Sequence, residues 1–151
     1  LRMRRIFLSL VLAVGGFVLA APSLATEVPA ADAKQTGLMT ELGAADFQTY
    51  CAACHGVGAR GDGTVAEFLT IPAPDLTQLK TKNSGIFPRE RVAEVIDGRA
   101  DVKVHGARDM PVWGDWFDTE AAGEGMDKEA REAVVSARIN ALLAWLETIQ
   151  E

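Results

Sequence analysis

The chain has 151 residues, 48% of them hydrophobic and 24% charged, with a formal net charge of −6 and a mean hydropathy of +0.08. That balance fits one folded domain and excludes a disordered, collagen-like or polytopic membrane chain. The acidic excess argues against nucleic-acid binding, which needs a basic face to neutralise phosphates, and two cysteines are too few for a disulfide scaffold.

The first 25 residues read as an address. Arg2, Arg4 and Arg5 precede an apolar run from Ile6 to Ala21, broken only at Ser9, and small residues stand at Ser23 and Ala25. A basic start, a short apolar stretch and small residues before the cut describe a secretory signal peptide cleaved after Ala25. An uncleaved anchor is the alternative, but the 16 residues 6–21 fall short of the ~20 needed to cross a ~30 Å hydrocarbon core. Residues 26–151 would then carry 12 basic and 21 acidic residues, a net charge of −9, in the periplasm, with no membrane span left.

Residues 26–42 lack an apolar period over most of their length and read as a loose N-terminal tail. The folded domain is expected over 43–151. A short helix from Gly43 to about Cys51 puts Phe47 and Tyr50 on one side. Four glycines between Gly56 and Gly63 bend the backbone. A brief helix over Thr64–Leu69, an extended turn at Ile71-Pro72-Ala73-Pro74-Asp75 and a polar loop over Thr77–Gly85 follow. Pro88 opens a helix whose apolar face is Val92, Val95 and Ile96, and Gly98 closes it. Residues 99–119 read as a long aperiodic loop, which in a small domain is usually functional. A Gly- and Glu-rich patch at 120–126 leads to a final helix over Asp127–Thr148. Asp127 is its N-cap, and its apolar set includes Val134, Ala137, Ala141, Leu142, Trp145 and Ile149. Strand alternation and internal repeats are absent. About four helices on long loops bury little apolar area, and a bulky apolar group at the centre would supply the missing core.

Cys51-Ala52-Ala53-Cys54-His55 supplies such a group, because C-x-x-C-H is the attachment signature of c-type haem. Two thiols on one helical turn reach neighbouring vinyl groups, and the next residue brings an imidazole under the iron. A thioredoxin-like reading needs a βαβ context, and a zinc site needs further Cys or His ligands where only His105 remains. The opposite face of the iron needs a second ligand from Met39, Met110, Met126 or His105. Met110 stands before Pro111-Val112-Trp113-Gly114 inside the long loop. The proline fixes the backbone there, and a soft thioether opposite an imidazole favours ferrous iron. His105 is the rival ligand and reads as an exposed loop residue.

These residues resemble the class I cytochromes c of the bacterial periplasmic type, from about Gly43 to the C-terminus. Beyond the haem motif, the methionine loop and the final helix, the family has a small residue and an aromatic eight and four positions before the first cysteine. Here they are Gly43 and Phe47. Their counterparts on the last helix resemble Leu142 and Trp145. The resemblance implies a small all-α cytochrome c fold wrapped around one covalent haem. It also implies a proline carbonyl that accepts from the histidine Nδ1–H, from Pro72 or Pro74, with Pro72 preferred. Trp113 would donate to a haem propionate or pack over the haem edge. Arg60 and Arg99 would pair with propionates or stand as solvated charges. The chain departs from the mitochondrial form in its acidic balance, its lack of a lysine ring and a Trp116–Met126 insertion.

An iron with both axial positions filled has no place for substrate, so the expectation is not an enzyme but a periplasmic one-electron carrier. It would be either free or the haem subunit of a dehydrogenase or oxidase complex, exchanging electrons with a donor and an acceptor protein. Residues 76–110 carry a net +2 and residues 111–135 a net −5, a dipole that would orient a partner. The alternatives are a ligand-binding or peroxidatic haem protein with a displaceable methionine, and a thiol oxidoreductase using Cys51 and Cys54.

Overall fold

The computed structural model describes residues 30–99 and 110–151. The proposed signal peptide, the cleavage point and His105 lie outside the described residues. The order is α1 (Ala30–Tyr50), α2 (Ala52–His55), α3 (Leu79–Lys82), α4 (Arg89–Asp97), α5 (Trp113–Gly123) and α6 (Lys128–Thr148). Single 3₁₀ turns occupy Ala66–Phe68 and Leu76–Gln78. No strand occurs among the described residues. Four of the helices, α1, α4, α5 and α6, run for nine residues or more.

The frame is the crossing of α1 on α6, the most extensive helix pair, with α5 and α4 packed on the remaining sides of α6. The crossing is close because α1 carries Gly43 where the helices meet: a Cβ there would collide with the carbonyl of Ala141. Phe47, one turn on, is 1% exposed and stacks on Trp145 of α6 with centroids 4.4 Å apart. Phe47, Phe117, Val135, Leu142 and Leu143 form the fully buried centre, joined by Ile96, Ile139 and Leu146. The small residue, the aromatic and their two partners on the last helix thus fall at one crossing, the relationship the resemblance implied.

Several elements depart from the sequence reading. The first helix begins at Ala30, not Gly43, so most of the expected tail is helical. Its residues 32–38 are exposed, and Ala, Lys, Gln and Leu carry it by intrinsic helix preference, not by an apolar face. Residues 113–119, read as loop, belong to α5, and the Trp116–Met126 insertion is the body of α5 and the turn after it. Trp113, Phe117 and Ala121 recur every fourth residue and turn inward, Phe117 and Ala121 fully. Thr64–Leu69 contracts to the one turn Ala66–Phe68. The expected polar loop 77–85 holds α3 and buries Thr77, whose N–H and Oγ1 both donate to Asp75 at 2.9 and 2.6 Å. On α6 the buried face includes Val135, Ile139, Leu143 and Leu146, while Ala137 is exposed.

Other boundaries agree with the reading. Asp127 caps α6, its carboxylate accepting from the Ala130 N–H at 2.9 Å. Gly98 ends α4 in the left-handed conformation at φ +67°, its N–H donating to the Glu94 carbonyl at 2.9 Å. Pro88 stands one position earlier than expected, as the residue before the first helical one.

Candidate functional site

Cys51 of the C-x-x-C-H motif stands between α1 and α2, and Ala52–His55 are α2 itself. The N–H of Cys51 still donates to Phe47 at 2.9 Å. The Cys51 carbonyl then accepts from both Cys54 and His55, at 3.1 and 2.9 Å. This tight turn follows α1 directly, so the α1–α6 crossing sets the position of both thiols and the imidazole. Cys51 and Cys54 are free and half-buried. Burial, with the charge of Asp46 adding to it, pushes the Cys51 thiol up to about 12. In the fold it is a neutral thiol at neutral pH, the opposite of the activated thiolate that disulfide exchange uses. Phe47 lies beside the imidazole, with ring centroids 6.4 Å apart.

The following loop doubles back over the motif. Gly61 donates to the carbonyl of His55 at 2.8 Å, Gly63 to that of Cys54 at 3.2 Å and Val65 to that of Ala53 at 3.0 Å. Gly61 in turn lies against the carbonyl of Ala73, where a Cβ would not fit. Pro72 and Pro74 flank that contact, and both are exposed. Gln150 and Glu151 fasten the segment that follows, residues 76–81. Glu151 donates from its N–H to the Thr77 carbonyl at 3.0 Å and accepts from Thr81 Oγ1 at 2.6 Å. Gln150 donates to the Leu76 carbonyl at 2.9 Å and accepts from the Lys80 N–H at 2.9 Å.

Met110 is half-buried and packs, with Trp113, against the same core that Cys51 and Ala52 touch. An aromatic chain joins the two segments. Tyr50, next to Cys51, meets Trp113 edge-on at 5.5 Å and Phe117 at 5.7 Å. Of the other methionines, Met39 is half-buried on α1 and Met126 is 37% exposed at the turn after α5. Arg60 pairs with Glu151, and Arg99 with Asp97 and Glu132, so both guanidinium groups sit in ion pairs within the chain. Two shallow concavities, of about 410 and 360 Å³, lie between α5 and α6 and between α4 and α6, and the motif lines neither.

Sequence reasoning missed the polar knot beside this site. Arg138 of α6 makes a fork on Asp46 of α1, at 3.0 and 2.9 Å, and reaches Glu120 of α5 at 2.6 Å. Its guanidinium lies 3.8 Å from the Phe117 ring centroid, and Glu120 also accepts from Tyr50 at 3.1 Å. The network pins Tyr50, hence the start of the motif, to α5 and α6.

Two thiols and an imidazole on one turn, a thioether against the same core and an apolar surround form a donor set that fits haem. An all-α frame with a C-x-x-C-H turn at its central crossing defines a c-type cytochrome domain. Residues 39–124 match the model of the family described as cytochrome c oxidase, cbb3-type, subunit III, and the chain belongs to that family. Haem c with its iron and a part in electron transfer come with that membership. No curated protein and no solved structure gave a significant match.

Proposed function

We propose that the chain is an exported one-electron carrier domain that holds a single haem c through Cys51 and Cys54, with His55 and Met110 as axial ligands. The observation that carries this is the convergence of the Cys51–His55 turn and the Met110–Trp113 segment on one buried core. When bound, the haem supplies reversible one-electron chemistry at its iron. The chain's own residues hold, orient and exclude water. Cys51 and Cys54 tether, and the hydrogen-bonded loop 56–65 fixes the backbone carbonyls of the motif. The carbonyl of Pro72 is the proposed acceptor for the His55 Nδ1–H, a bond that would raise the basicity of the ligand. Phe47 and Trp113 wall the site with aromatic surface, and Met110 supplies a neutral thioether that favours the ferrous state.

If His55 and Met110 both held the iron, no position would be left there for a substrate, and the domain would serve as a carrier and not as an enzyme. Its location is the periplasm, reached through the leader and cleavage after Ala25. Its partners are redox proteins, and family membership supports a place in a terminal oxidase complex over free diffusion. Among the described residues no helix is long and apolar enough to cross a membrane.

The test is an absorption spectrum of protein matured in a periplasm with haem-attachment machinery. Colour that survives acid–organic extraction, low-spin bands and a weak sulfur-to-iron charge-transfer band in the oxidised form are expected. Cys51→Ala with Cys54→Ala is expected to abolish the retained colour, and Met110→Ala the charge-transfer band alone. A high-spin oxidised spectrum, or rapid carbon monoxide binding when reduced, would favour the ligand-binding alternative.

A further inference from the structure

We propose that Arg99 is a positioning residue for Met110, locking the backbone that follows the thioether, Val112–Gly114, against the end of α4. The proposal rests on the Met110 ligation proposed above. α4 ends at Asp97 and α5 begins at Trp113, and the two ends are pressed together. A Cβ placed on Gly98 would lie 3.2 Å from the Cα of Val112. One placed on Gly114 would collide with the Asp97 carboxylate and lie 2.7 Å from Arg99 Nε. Glycine at both positions therefore lets the chain at 97–99 lie directly on the chain at 112–114, two residues from Met110.

Arg99 fastens that junction. Its Nε donates to Asp97 Oδ1 at 2.5 Å and its Nη2 to Oδ2 at 3.1 Å, a two-bond fork. Its Nη1 donates to Glu132 Oε1 of α6 at 2.8 Å. One planar guanidinium thereby ties the end of α4 to the second turn of α6 and lies against Gly114 in the first turn of α5. Few side chains other than arginine could do so, because the fork needs several donors in fixed directions. The Arg99 and Asp97 side chains are 30% and 29% exposed, against 42% and 54% for Arg89 and Glu147, which also join α4 to α6 but away from this junction.

A thioether is a neutral, weak ligand, so its hold on iron depends on a backbone that delivers the sulfur already in place. A looser junction lowers the fraction of molecules with the sulfur in position, and an external ligand for the same iron gains in proportion.

The experiment compares full-length holoprotein as the parent, Arg99→Gln, Glu132→Gln and Arg89→Gln. The readouts are the charge-transfer band and a titration of the oxidised protein with imidazole. Arg99→Gln is expected to keep its haem and helix content, weaken the band and bind imidazole about tenfold more tightly than the parent. Glu132→Gln, which spares the fork, should fall between the two. Arg89→Gln should stay within about twofold of the parent, because an exposed pair away from the junction does not reach Met110. If Arg99→Gln failed to retain haem, Glu132→Gln would carry the test by the same readouts. Imidazole affinities that are unchanged in Arg99→Gln, or shifted equally in Arg89→Gln, while the parent shows the band, would overturn the positioning role alone. A parent without the band would overturn the ligation and this proposal together.

Discussion

Gly43 of α1 and Ala141 of α6 meet backbone to backbone, with no space between them for even a methyl group. The obstacle is a main-chain carbonyl, which cannot swing aside as a flexible side chain would. Gly43→Ala must therefore push the helices apart along their whole contact, at a cost of about 1–3 kcal/mol. Denaturant unfolding of the holoprotein checks this, and an unchanged midpoint would contradict so close a crossing.

Phe47 fills the next layer of the same crossing and touches both Trp145 and His55. Phe47→Ala removes a 1% exposed ring and is expected to cost about 3–5 kcal/mol. Because the ring also walls the imidazole, the same variant should alter the oxidised haem spectrum. A stability loss with an unaltered spectrum would confine Phe47 to packing.

Acid should loosen the knot around Arg138. The Arg138 guanidinium, helped by hydrogen bonds from Tyr50 and Trp116, holds the Glu120 carboxyl below the usual carboxylate range near 4.5. A depressed folded value means that the fold favours the charged form. This stabilisation is present above the unfolded value and is lost as pH falls through and below it. Melting temperatures of the parent should decline more steeply than those of Glu120→Gln as pH drops from about 5 towards 3. Parallel declines would show that Glu120 contributes nothing to acid sensitivity.

The carboxylate of Asp127 satisfies the Ala130 N–H at the start of α6. Asp127→Ala should destabilise the domain by about 0.5–2 kcal/mol, and Asp127→Asn by much less. Equal losses for the two variants would point to charge, not capping, as the source.

Capping and spacing made parts of this molecule readable in advance. Asp127 and Gly98 act through neighbours within one turn, and so does the Cys51–His55 motif, so local sequence is enough to identify them. α5 was hidden because Gly114 and the acidic residues among its three aromatics look like loop. The spacing of Trp113, Phe117 and Ala121 was the signal that could have revealed it. The start of α1 at Ala30 was hidden for another reason: its first two turns carry no apolar stripe, so periodicity is silent where helix preference alone decides. The fork of Arg138 on Asp46 joins residues 92 positions apart, and no local pattern predicts which carboxylate a given arginine will find. Arg60 and Arg99 teach the same lesson. Read as propionate partners or solvated charges, they are engaged by Glu151, Asp97 and Glu132, groups that only the folded chain brings near.

The packing of Cys51 against a core built largely from α6 has a consequence in time. Synthesis runs from the N-terminus, so the Cys51–His55 turn emerges well before α6. Until α6 arrives, Cys51 lacks the core it packs against, and the nascent chain offers both thiols to any catalyst that must reach them. A chain ending at residue 127 is expected to alkylate at Cys51 as fast as the denatured protein, and the intact apoprotein far more slowly. The arrival of α6 therefore sets how long the cysteines stay accessible during synthesis.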